Sequence, residues 1–188
     1  MYDSLQHMLV SLAPFTQEEL EKSMHYFERQ ELSRNEFFNK AGRISDRLAF
    51  VNQGLLRSFY ILKGKETTTF FQLPGFIAVD LKSFVQRTPS IEHIQAVSDS
   101  ELLVVRRKDL YTLYNEDWKW QQVGRMLVEQ AYFDMEKRSI SLQIEPAQVR
   151  YEKFLAEFPE VIQKAPLHQI ASFLGISPET LSRIRKLA

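Results

Sequence analysis

Cysteine is absent from all 188 residues. That excludes disulfides, thiolate nucleophiles, zinc fingers and cysteine-ligated iron–sulfur clusters, and it fits a reducing compartment. Histidine is scarce: His7, His25, His93 and His168 are scattered singly. They offer no His-Glu-x-x-His metal pair and no histidine cluster of cupin type, and single scattered histidines argue against haem. The six glycines (42, 54, 64, 75, 124, 175) form neither a phosphate-cradling loop nor a dinucleotide fingerprint, and no Gly-x-Ser-x-Gly elbow occurs. Long apolar runs are also missing. The longest stretches free of Asp, Glu, Lys and Arg are 14 residues, for example Ser4–Gln17 and Ala165–Pro178, whereas a membrane-spanning helix needs about 20 apolar residues. The segment MYDSLQHML has neither the basic start nor the apolar core of a signal peptide. Paired carboxylates such as Glu18-Glu19 and Glu116-Asp117 stand at helix starts, where a capping or solvated role suffices. The expectation is a cytoplasmic protein that is not an enzyme and holds no metal or cofactor.

Excess charge of either sign is lacking as well, with 24 basic and 24 acidic side chains. A strongly basic protein that coats nucleic acid is therefore excluded. The balance is uneven along the chain. Residues 147–188 carry six basic and four acidic side chains, and the last eight hold Arg183, Arg185 and Lys186 with no acid. A weak positive pole is expected at this end.

What is present is aromatic bulk, 14 Phe, 7 Tyr and 2 Trp, enough to build a packed core. Residues 3–29 read as helical: Leu5, Met8, Leu9 and Leu12 recur at three- and four-residue steps, and Thr16-Gln-Glu-Glu19 is a capping box. From residue 30 to 109 the period changes. Leu48–Asn52, Leu55–Ile61 and Leu102–Val105 read as strands, and Lys63-Gly64-Lys65 as a hairpin turn between Phe59–Leu62 and Thr67–Gln72. Short strands at near-regular spacing predict an antiparallel barrel or double-sheet roll. Residues 108–144 turn helical again. Val123, Leu127, Ala131, Met135 and Leu142 form a stripe that is expected to pack against a second copy of the chain, the alternative being its own barrel. The fold class expected is α+β: an antiparallel double-stranded β-roll of jelly-roll type, a long dimerisation helix and an all-α C-terminal domain. The expected divisions are 1–115, 116–145 and 146–188.

The sharpest pattern is Leu167–Lys186. Ile170 and Leu174 lie one turn apart, Ala171 is small where two helices must cross, and Gly175 supplies a positive-φ helix end. Ser177 can cap a second helix, Pro178 suits its first position and Glu179 complements its dipole, while Leu181 and Ile184 turn back to the core. This is a helix-turn-helix arrangement, whose second helix enters the DNA major groove. Arg183 is placed to pair with guanine and Glu179 to accept from cytosine. Thr180, Arg185 and Lys186 are placed to hold phosphates, and Pro178 and Ser182 also face outward with Ser177 at the cap. An ordinary helical hairpin with a solvated basic end is the plain alternative.

With a β-roll, a long helix and a helix-turn-helix in that order, the whole chain resembles the CRP/FNR family of bacterial transcription regulators. Phe50–Tyr60 looks like the family's central strands, and Ser177-Pro-Glu-Thr-Leu-Ser-Arg183 resembles its recognition helix, with Pro178 in place of the usual first Arg. The resemblance implies a cytoplasmic homodimer on a two-fold symmetric double-stranded operator, modulated by a small effector, with RNA polymerase as a further partner. The short C-terminal region leaves little room for the family's small β-hairpin.

At the ligand site the resemblance weakens. The family's cyclic-nucleotide binders carry a Glu for the ribose and an Arg for the phosphate. Here Phe76-Ile-Ala78-Val79-Asp80 puts Val79 where the Glu belongs, and Pro89–Ile94 has no Arg aligned, although Arg87 is near. A buried phosphate needs a charged or amide partner. The expectation is a regulator that does not respond to cyclic AMP, taking another effector or none. The candidate pocket residues are Phe71, Leu73, Ala78, Val79, Asp80, Arg87, Phe133 and Met135. Two alternatives remain: a cyclic-nucleotide responder with a non-standard phosphate site, and a ligand- or protein-binding roll with a vestigial helix-turn-helix.

Overall fold

The structure, a computed structural model, describes residues 2–187. In chain order its elements are α1 (Asp3–Leu12), α2 (Gln17–Met24), β1 (Phe27–Leu32), β2 (Phe37–Asn39), β3 (Arg47–Gln53), β4 (Leu56–Leu62), β5 (Lys65–Gln72), β6 (Ile77–Ala78), α3 (Leu81–Gln86), β7 (His93–Ala96) and β8 (Ser100–Arg106). There follow α4 (Arg107–Glu116), α5 (Trp118–Ile144), α6 (Ala147–Glu157), α7 (Pro159–Lys164), α8 (Leu167–Phe173) and α9 (Pro178–Leu187).

Successive side chains of a strand point to opposite faces, so the unbroken apolar run Leu102–Val105 demands cover on both sides. Both covers exist. The strands form two antiparallel sheets, in the orders β1-β8-β3-β6 and β2-β7-β4-β5. Between them Leu102 and Val104 meet Ala49, Val51, Leu56, Ile94 and Ala96. On the other side of the first sheet, Leu103 and Val105 join Phe27 and Phe50 under Leu5, Leu9, Leu20, Trp120 and Val123 of the helices. The turn after β4 has positive φ at Lys63 and Gly64, the conformation a two-residue hairpin loop requires.

Two expectations need correction. Helix was expected as far as residue 29, but β1 begins at Phe27 and pairs with β8 from Phe27↔Val105 to Leu32↔Ser100. Its buried ends flank exposed Glu28, Arg29 and Glu31, the pattern of an edge strand. The helical stretch expected over 108–144 is broken at Asp117. Its backbone is extended there and its side chain accepts from the Lys119 amide at 2.9 Å, capping α5 afresh. The Thr16 capping box forms as read, with both reciprocal hydrogen bonds present.

The outer face of the second sheet is covered by the C-terminal helices. Leu55, Phe71 and Val97 share one cluster with Tyr151, Phe154, Ile170, Leu174 and Leu181. The Phe71 ring lies 5.5 Å from Phe173 and 6.2 Å from Phe154. Strand β5 is one edge of its sheet, and α8 closes part of it: Ser172 Oγ accepts the Thr68 amide at 2.9 Å and lies 3.3 Å from the Glu66 carbonyl. Because roll and C-terminal helices share this core, urea should unfold them in one transition. Phe71→Ala, at a site 2% exposed, should cost about 3–5 kcal/mol in that titration. Two separate transitions would contradict the shared core.

Candidate functional site

The C-terminal pattern folds as α8, a tight turn and α9. Gly175 has φ +68° and its amide reaches the Ser172 carbonyl at 3.2 Å, while the Ile176 amide reaches the Ala171 carbonyl at 3.0 Å. These bonds end α8 and satisfy carbonyls that a helix terminus otherwise leaves open. Ser177 Oγ then accepts the Thr180 amide at 3.2 Å, capping α9, with Pro178 at its first position. Ile170, Ala171, Leu174 and Leu181 are buried; Ile176 and Ile184 pack partly buried against them.

The opposite face of α9 is open. Ser177, Pro178, Glu179, Ser182, Arg183, Arg185 and Lys186 are exposed and Thr180 is half-buried. Among the described residues no carboxylate pairs with Arg183, Arg185 or Lys186. Arg183 Nη2 only approaches Thr180 Oγ1, at 3.4 Å. Hydrogen bonding from Ser177 holds the Glu179 carboxyl below its ordinary range, so it stays an acceptor. One acceptor and three unpaired cations thus share a solvent-facing helix whose inner face is fixed in the core.

The turn of this unit is held from outside by two arginines that sequence reading missed. Arg138 on α5 donates through Nη2 to the Phe173 carbonyl at 2.8 Å, and Arg150 on α6 donates through Nε to the Leu174 carbonyl at 3.0 Å. Cations belong at a helix C-terminus, where partial negative charge gathers. Nothing in the local sequence marks these two, because their partners lie 35 and 24 residues away.

The eight effector candidates are not gathered into one pocket. Phe71 is buried against the C-terminal helices and Leu73 packs beside it. Ala78 lies in the core between the sheets, and Val79 packs on the cluster beneath α1 and α5. Asp80 caps α3, accepting the Ser83 amide at 3.0 Å. Arg87 ends α3 with φ +59° and donates to the Ser45 carbonyl at 2.7 Å. Phe133 and Met135 stand in solvent on α5, 56% and 64% exposed. A cavity of about 340 Å³ lies instead where β5, α5, α6 and α8 meet, lined by other residues.

The helix stripe divides in two. Val123 is buried in the chain's own core and Leu127 packs against it, so these two positions face inward. Ala131 and Met135 face out. The exposed apolar side chains of α5 include Val128, Tyr132, Met135 and Leu142, at steps of four, three and seven, with Phe133, Ile140 and Ile144 beside them.

Comparison with known proteins places this architecture. Residues 29–117 match the cyclic nucleotide-binding domain family. FixK2 from Bradyrhizobium japonicum aligns at 21% identity over 86% of this chain and 83% of its own, with TM-score 0.70. The catabolite activator protein of Thermus thermophilus aligns at 22% identity over 96% and 85%, TM-score 0.61. A transcriptional regulator assigned to the crp/fnr family, from Eubacterium rectale, aligns at 15% identity over 92% and 83%, TM-score 0.69. The fold is that of the CRP/FNR regulators. No curated protein sequence matches the chain.

Within the CRP/FNR fold, the segments 76–80 and 89–94 are where the resemblance puts a cyclic nucleotide. The residues present do not fit an anion. Arg87 is held on Ser45, and the segments instead contribute two carboxylates, Asp80 and Glu92. Burial pushes the Glu92 carboxyl up to about 7, against a hydrogen bond from Thr69 Oγ1 (2.7 Å) that pulls it down, and Asp80 raises it further. Both acids, after burial itself, also raise the Tyr60 hydroxyl. A phosphate there would meet Asp80 and Glu92, with the nearby Arg87 already engaged on Ser45.

The raised Glu92 carries a pH signature. The folded chain retains a proton that the unfolded chain releases, so stability falls as pH rises from about 4.5 to about 7 and then levels. Glu92→Gln keeps the Thr69 contact and removes the charge. It should raise the urea midpoint near pH 8 and leave it almost unchanged near pH 4. An equal effect at both would show that Glu92 does not titrate in this window.

Proposed function

We propose that this chain is a cytoplasmic, homodimeric, DNA-binding transcriptional regulator of CRP/FNR type whose roll does not answer to cyclic AMP. In this reading residues 1–115 form the sensing part, the helix within 116–145 the pairing part and residues 146–188 the DNA-binding part. One observation carries it: α9 presents Arg183, Arg185 and Lys186 without carboxylate partners among the described residues, next to an accepting Glu179, on a helix locked at its N-terminus by Ser177. Arg183 and Glu179 read base edges; Thr180, Arg185 and Lys186 hold phosphates; Ser177, Pro178 and Ser182 line the entry into the groove. Pairing along Val128, Tyr132 and Met135 gives the two recognition helices the separation that half-sites about 34–36 Å apart require. The acidic lining of the roll supports the absence of a cyclic-nucleotide response.

The preferred duplex can be selected from a random DNA pool and titrated by fluorescence anisotropy. Arg183→Ala should weaken that duplex by about 1–3 kcal/mol and relax one base position. Parent affinity should fall with salt by about 0.9 log units per phosphate contacted. A flat salt response, or a variant with unchanged preference, would reject DNA reading by α9. For the pairing face, Met135→Asp should convert dimers to monomers in light scattering without loss of fold, since Met135 touches solvent rather than core. A persisting dimer would place the contact elsewhere.

A further inference from the structure

The cavity at the junction of roll, long helix and C-terminal helices has a consistent chemistry. Its walls include the rings of Phe70, Phe76, Phe154, Phe158 and Phe173. Its charged lining is Lys137, Arg138, Arg150 and Lys153 against Asp134 and Glu157. The lysines are matched, Lys137 to Glu157 at 3.1 Å and Lys153 to Glu145. The arginines bond to carbonyls instead. Arg150 donates to Leu174 and Glu145 backbone oxygens. Arg138 donates to the Phe173 and Thr68 carbonyls, stacks 4.6 Å from the Phe173 ring and leaves its buried Nε without a partner. By contrast Arg57, which is fully buried, has Glu66 at 2.5 Å. Among the described residues Arg138 has no carboxylate, and burial pushes its pKa down with nothing to offset it. Even partial burial of a cation without an anion is unfavourable, and the cost falls when an anion enters.

We propose that this cavity is a binding site for a small aromatic carboxylate, its ring against the phenylalanines and its carboxylate on Arg138 and Arg150. A volume of about 340 Å³ suits a one- or two-ring acid. The lining shares Phe76 with segment 76–80 but includes neither Asp80 nor Glu92, the acidic pair. It also explains how occupancy reaches the DNA-binding unit. The two arginines that meet the carboxylate are those that hold the carbonyls of Phe173 and Leu174 at the end of α8. An anion therefore competes with the helix-turn-helix for the same donors, and a ligand shifts a pose only through such a difference between states. That consequence rests on the regulator reading; the binding itself does not.

The test is calorimetry on the full chain with 1-naphthoate and indole-3-acetate, each beside its neutral amide. Each acid should bind at least about tenfold more tightly than its amide, since only the anion gains the guanidinium. Arg138→Gln should bring acid and amide within about threefold of each other, and Arg138→Lys should keep part of the preference. Ser141→Trp leaves both arginines and fills the cavity, so it should abolish binding of both forms; it decides the matter if Arg138→Gln fails to fold by near-ultraviolet circular dichroism. No heat with either acid at millimolar concentration overturns the proposal, as does equal binding of acid and amide, or undiminished binding by Ser141→Trp. Anisotropy on the selected duplex, with and without acid, separates the two readings. Lost acid binding with intact DNA binding overturns the cavity alone. Acid binding by a chain that binds no DNA overturns the regulator alone.

Discussion

The docking of α8 on the edge of β5 is the constraint from which the rest of the arrangement follows. A free sheet edge leaves amides and carbonyls without partners, and a helix end leaves carbonyls in the same condition. Here the two deficits are met at one junction. Ser172 takes the Thr68 amide, and Arg138 and Arg150 take the carbonyls at the end of α8. The aromatic cluster of Phe71, Phe154, Phe158 and Phe173 fills the space between. Helix α9 inherits its orientation from this junction because Leu181 is fully buried in the same cluster.

Charge is neutral in total and local in effect. Two carboxylates of the roll, Asp80 and Glu92, stand near Tyr60. Arg183, Arg185 and Lys186 of α9 have no carboxylate partner among the described residues, and the two arginines facing the junction cavity are directed at backbone oxygens. Residues 29–117, which match the cyclic nucleotide-binding domain family, place Asp80 and Glu92 where the resemblance expects a phosphate. A more positive lining is found in the junction cavity, beside the end of α8.

Much of this was legible in the residues. Local rules carried the capping box at Thr16, the hairpin at Lys63-Gly64, and the whole helix-turn-helix from Ile170 to Ile184, because each depends on spacings of a few residues and on backbone demands that one side chain satisfies. The errors arose where a long-range partner overrode a local pattern. Phe27 reads as one more helical apolar position until β8 offers a ladder to it. The stripe from Val123 to Met135 looks uniform, yet its first half faces Leu5, Leu9 and Phe27 while its second half finds no covering element. Arg87 is near the phosphate position in sequence, but its left-handed backbone at the end of α3 sends it to Ser45.

What the sequence by itself determined is the set of elements and the face each must bury. The unbroken run Leu102–Val105 already requires a strand covered twice, and Ala171 with Gly175 already requires two helices in close crossing. Only the tertiary structure decided which surfaces meet. That Arg138 and Arg150 converge on the end of α8, that Phe71 lies against Phe173, and that a positive aromatic cavity opens between them are facts about residues far apart in the chain. Their contacts depend on the register of the sheets and the direction of α5, and no local spacing encodes either.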